Sequence, residues 1–125
     1  MLNVMVLKDA KLIEKEIDDT LEALQEEVGG WIDIPYLSEE LNNAGIDVII
    51  NDEGKLIGLD PELVLFYENE IADIICGNIL FVSHDEGGNT VGLSEEQKLH
   101  IMKNLYVGNW ALNLMFGKEV AFINI

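Results

Sequence analysis

Four short apolar runs constrain the fold most strongly: LNVMVL at residues 2–7, IDVIIN at 46–51, GNILFVS at 77–83 and EVAFINI at 119–125. Each is short for a buried helix and rich in Val, Ile or Phe, side chains that suit a pleated surface. The connections around the middle runs are brief, which favours antiparallel hairpins over the crossovers that parallel strands need. NDEGK, residues 51–55, has turn chemistry, with Gly54 able to take a positive φ, and KLIGL is expected to return as a strand.

Helical signals lie between the strands. Asp18 and Asp19 are N-cap residues for a helix in which Leu21, Leu24 and Val28 recur at helical spacing, with Glu22, Gln25, Glu26 and Glu27 on other faces. Gly29 follows the last periodic residue, where a left-handed residue ends a helix, and Gly30 allows a tight reversal into WIDIP, where Ile32 and Ile34 share a face. Residues 11–17, KLIEKEI, read either as a second strand after a turn at Lys8–Ala10 or as the lead-in to that helix. YLSEELNNAG reads as a loop with one helical turn. Asp60–Pro61 is a helix-start pair, predicting a helix that carries Leu63, Val64, Phe66 and Tyr67. SEEQ, residues 94–97, is a capping box, followed by a stripe of Leu99, Met102 and Tyr106 widened by Ile101 and Leu105. VGNWALNLMFG predicts a further helix ending at Gly117, and EVAFINI a final strand. The sum is an α+β fold in a single domain spanning residues 1–125, mostly antiparallel sheet with about three helices.

The 24 acidic residues face only 7 basic ones, all lysines, for a formal charge of −17. Arginine, the usual bidentate reader of phosphates and guanine edges, is absent. Direct nucleic-acid binding is therefore not expected, because a phosphate backbone would be repelled. No apolar run reaches the ~18 residues of a membrane span, so no membrane partner is expected. The start lacks the pattern of a signal peptide, and Cys76 stands alone, which excludes an intramolecular disulfide and fits a reducing cytoplasm.

Catalytic and cofactor patterns fail one by one. There is no phosphate loop, no G-x-G-x-x-G after a strand, no H-E-x-x-H, no C-x-x-C and no G-x-S-x-G. His84 and His100 fall in different elements. The acidic loops NDEG and HDEGG lack the alternating ligands of a calcium loop. Asp52 and Glu53 are adjacent, so in extended chain they point apart. No catalytic residue, metal site or cofactor is expected. Trp31, Trp110, Phe116 and Phe122 suit either a stacking surface or core and subunit packing.

TLEALQEEVGGWIDI, IINDEGKLIGL, DIICGNILFV and GLSEEQ, in that order and spacing, resemble the family catalogued as domain of unknown function thirty-eight forty-six, which is found in phages, plasmids and bacteria. The resemblance runs from about residue 2 to about residue 103 and leaves 104–125 as a C-terminal extension. Where the family carries a polar asparagine after the hairpin, this chain has DPELVLFYEN. The resemblance implies an α+β domain from a mobile element acting inside the host cell, and no activity. The preference for lysine, Asn and Ile fits a low-GC genome.

Three functions follow as expectations. The first is a non-enzymatic counter-defence inhibitor that presents acidic surface to a basic host protein in the host cytoplasm. Glu22, Glu26 and Glu27 are its solvent-facing binding residues, with Trp31 beside them. The second is an oligomeric sponge for a nucleotide-derived immune signal, and the third an enzyme that degrades such a signal. The apolar C-terminal cluster around Trp110, Leu114 and Phe116 predicts a homo-oligomer.

Overall fold

A computed structural model describes residues 1–125. The chain runs β1 (Leu2–Lys8), β2 (Lys11–Ile17), α1 (Leu21–Val28), β3 (Ile32–Asp33), α2 (Glu39–Asn43), β4 (Ile46–Asn51), β5 (Pro61–Tyr67), β6 (Glu70–Cys76), β7 (Ile79–His84), β8 (Thr90–Val91), α3 (Glu95–Asn104), α4 (Trp110–Phe116) and β9 (Ala121–Asn124). The α+β expectation holds, with four helices and two sheets. The larger sheet has the order β2-β1-β7-β4-β3 with β8 beside β7, all antiparallel. The smaller has the order β6-β5-β9, in which β9 lies parallel to β5.

Strand alternation sorts the core into layers. Leu80 and Val82 of β7, with Val4 and Val6 of β1, meet Leu24 and Val28 of α1. Ile79 and Phe81 face the other way, with Met5 and Leu7, toward Leu63 and Leu65 of β5 and Ala121 and Ile123 of β9. Val64 and Val120 then face outward to Leu112 of α4. The order is therefore α1, large sheet, small sheet, α4. Helices α2 and α3 close the inter-sheet core with Leu41 and Ile101.

The strand reading of residues 11–17 and the helical turn in YLSEELNNAG hold, and several other local expectations are corrected. Residues 11–17 form a strand, reached through a two-residue turn at Asp9 and Ala10, both at positive φ. The α1 N-cap is Thr20, whose Oγ1 accepts from Ala23 N at 3.1 Å, rather than Asp18 or Asp19. YLSEELNNAG contains α2, capped by Ser38. In WIDIP only Ile32 and Asp33 pair, and Ile34 is exposed ahead of Pro35. KLIGL does not return as a strand; residues 52–58 are turns, and β4 pairs with β3 and β7 instead.

The largest correction is at Asp60–Pro61. The segment is β5, not a helix. Its run LVLFY lies between two apolar layers and must offer apolar groups on both faces, which a pleated strand does. Pro61 is its first residue, where the missing N–H is tolerated. In α3 the capping box forms as expected, but Leu99, Met102 and Tyr106 are 64%, 46% and 48% exposed. Ile101, from the widened part of the stripe, is buried as expected with Leu105 packed beside the same core, and the covered stem of Lys98 completes the buried face.

Candidate functional site

Helix α1 is built as the sequence implies at its C-terminal end. Gly29 takes φ +80° and its N–H donates to Gln25 O, so the left-handed stop requires glycine. Gly30 serves a close approach: a Cβ there would stand 3.0 Å from Asn51 Nδ2. Asn51 Nδ2 donates to Val28 O at 3.0 Å, and Asn51 Oδ1 accepts from Glu53 N at 2.8 Å. Buried Asn51 thus ties the end of α1 to the end of β4.

This packing fixes what α1 shows to solvent. Glu22 and Glu26, one turn apart, are exposed and lack an ion-pair partner. Glu27 departs from expectation. It turns onto the sheet and pairs with Lys15 at 2.7 Å, its side chain 15% exposed. Trp31 is 70% exposed. Ile32 packs toward the α1 layer, so alternation directs Trp31 away from it. Of the four residues expected to bind, only Glu22 and Glu26 share a free face.

A cavity of about 240 Å³ opens beside the end of α1, lined by Glu26, Glu27, Lys8, Asp9, Asp60 and Glu62 among others. Glu62 is 2% exposed and its carboxylate accepts from Asp9 N at 2.8 Å and from Lys118 Nζ at 2.6 Å. Burial alone would lower the Lys118 ammonium's pKa. The Glu62 hydrogen bond and the nearby charges of Glu62, Asp60 and Asp9 outweigh it and hold the value above the ordinary lysine range.

The charged surface is predominantly negative. Of the acidic residues only Glu27, Asp47 and Glu62 are not exposed. Four lysines are committed to carboxylates: Lys15 to Glu27, Lys55 to Asp73, Lys98 to Glu14 and Glu95, and Lys118 to Glu62 and Asp9. The hydrogen bonds that Lys98 donates to Glu95 and then Glu14 raise its pKa. The Lys55 hydrogen bond holds Asp73 below the usual carboxylate range, and burial pushes the Cys76 thiol up.

A base with an orienting carboxylate does occur, since His84 Nδ1 lies 3.0 Å from Asp47 Oδ2. The adjacent Ser83 points to the opposite side of the strand and donates to Gly45 O at 2.9 Å. His100 Nε2 lies 3.4 Å from Glu40 without hydrogen-bond alignment. No group of three or more His, Cys, Asp or Glu is placed to hold a metal ion. Ser83 is not paired with His84, and the arrangement concentrates negative potential.

Sequence reasoning missed Asn51, Glu62, Lys98 and Lys118 as organising residues. The one sequence trace was an acid inside the apolar run PELVLFY, a position that demands a buried partner.

A family model described as domain of unknown function (DUF3846) matches residues 2–106. No curated protein and no solved structure matches the chain.

Proposed function

The chain belongs to the DUF3846 family, and on that premise we propose that it is a non-enzymatic accessory protein of a phage or other mobile element. It inhibits a basic host protein of a defence system in the host cytoplasm by occupying it with acidic surface. The observation that carries this reading is the exposed, unpaired carboxylate face of α1 at Glu22 and Glu26, in a chain of net charge −17 whose cations are mostly tied to its own carboxylates. The same bookkeeping weighs against a phosphate-holding sponge, because only Lys8, Lys11 and Lys103 are left without a carboxylate partner. No helix is long and apolar enough to cross a membrane.

The test is affinity capture from lysate of a low-GC bacterial host, then association kinetics with the captured protein at two salt concentrations. Exposed charges are screened over ~10 Å at 0.1 M salt, so association slows as salt rises while dissociation changes less. A protein that retains no basic partner at low salt, yet gains melting temperature with a cyclic oligonucleotide, would reject this reading in favour of sequestration.

A further inference from the structure

Helix α4 is apolar on its outer as well as its inner face, and its one polar residue, Asn113, accepts from Val120 N at 3.1 Å through its side-chain oxygen. Its inner residues Leu112 and Phe116 pack with Val64 and Val120 on the outer face of the small sheet. At about 100° per residue, Trp110, Leu114, Ala111 and Met115 fill a continuous outer arc of about 140°. Trp110, Leu114 and Met115 are 77%, 76% and 64% exposed, and Ala111 is exposed too. A helix with this pattern belongs in an interior. Tyr106 and Val107, half exposed, precede it in the chain. We propose that this face is the interface of a homodimer, with α4 of one copy packed on α4 of another.

Charge selects a second copy as the occupant. No charged residue lies between Lys103 and Lys118, although the chain carries −17. Most of its surface repels another copy, and this segment does not. The layer order puts the α1 glutamates on the far side of both sheets from α4. Stacked sheets alone are ~10 Å apart, and a helix layer adds about as much on each side. In an α4-to-α4 dimer the acidic faces therefore point outward, separated by several of the ~10 Å screening lengths of 0.1 M salt. A basic protein would be drawn to the carboxylate faces instead. A lipid surface is poorly served by a helix of seven residues with no lysine.

Area agrees. The exposed parts of Tyr106, Val107, Trp110, Leu114 and Met115 amount to on the order of 500 Å², scaled from the 150–250 Å² of a whole aromatic side chain. That is most of the ~800 Å² each partner contributes to a standard interface, and a two-fold axis lets one patch serve both copies.

The inference stands apart from the proposed inhibition. Light scattering coupled to size exclusion, on the full chain at micromolar concentration, is expected to read twice the 14.0 kDa chain mass. The double variant Trp110→Glu and Leu114→Lys is expected to read one chain mass with an unchanged far-ultraviolet circular dichroism spectrum. In a Trp31→Phe background, where Trp110 is the sole tryptophan, its emission should shift red on dilution without loss of secondary structure. A single-chain mass at every concentration overturns the proposal. So does a double variant that stays dimeric, or Trp110 emission that responds to phosphatidylcholine vesicles but not to dilution.

Discussion

Gly29 and Asn51 carry the local argument. Gly29 sits at φ +80°, so Gly29→Ala forces a Cβ into the left-handed region at a cost of about 1 kcal/mol. The expected outcome is a lower urea midpoint with an unchanged m-value. Asn51→Ala removes the donor to Val28 O and the acceptor for Glu53 N at a buried position. It is expected to cost roughly 1–3 kcal/mol, the penalty of unsatisfied buried polar groups, by the same measurement. Glu62 and Lys118 behave as one unit. Lys118→Met strands a buried carboxylate and is expected to destabilise by roughly 3–5 kcal/mol, well beyond a surface lysine such as Lys11. The pair also sets a pH dependence. The folded Lys118 pKa lies above its unfolded value, so its contribution is fully present below the unfolded lysine pKa of about 10.4. It is lost as pH rises through the folded value. Wild type should lose stability over that alkaline window, and Lys118→Met should lose less, as thermal melts at stepped pH would record.

Helix α1 divides its glutamates between two tasks. Glu22 and Glu26 face solvent, whereas Glu27 holds Lys15 of β2. Glutamine is also a good helix former, so Glu22→Gln with Glu26→Gln should leave the melting temperature nearly unchanged and slow association with a basic partner at low salt. Glu27→Gln should do the reverse, lowering stability by no more than about 1 kcal/mol and leaving association nearly intact, because the partner lysine is itself 43% exposed. Stopped-flow or surface-binding kinetics beside thermal melts separate the two outcomes. A common effect of all three substitutions on association would contradict this division.

Residues 107–125 lie beyond the family match and contribute α4 and β9, one of the two outer helix layers and the third strand of the small sheet. Val120, Ala121 and Ile123 are nearly fully buried, so the segment is part of the core and not an appended tail. The whole molecule carries −17 with most carboxylates at the surface, and self-repulsion opposes the compact state. Raising salt from about 0.01 M to 0.1 M shortens the screening length from ~30 Å to ~10 Å. The melting temperature should rise over that interval, as scanning fluorimetry in sodium chloride would show. A flat or falling trend would mean that the ion pairs of Lys15, Lys55, Lys98 and Lys118 outweigh the repulsion.

Features with a local cause were legible in the residues alone. The capping box at Ser94 and Gln97, the helix stops at Gly29 and Gly117 and the strand LNVMVL depend on hydrogen bonds, dihedrals or alternation within a few residues. Features set by what lies opposite were not. Asp60–Pro61 opens a helix as readily as a strand, and β5 became a strand because apolar layers meet it on both sides and β6 and β9 pair with its edges. The α3 stripe rotated because Lys98, with a long apolar stem, covers the core while Glu14 and Glu95 hold its ammonium. Glu27 left the exposed acidic face for the same kind of reason: Lys15 stands across from it on a strand that the sequence left undecided. Periodicity states which residues of an element share a face. Only tertiary packing decides which face is buried, because that depends on atoms far away in the chain.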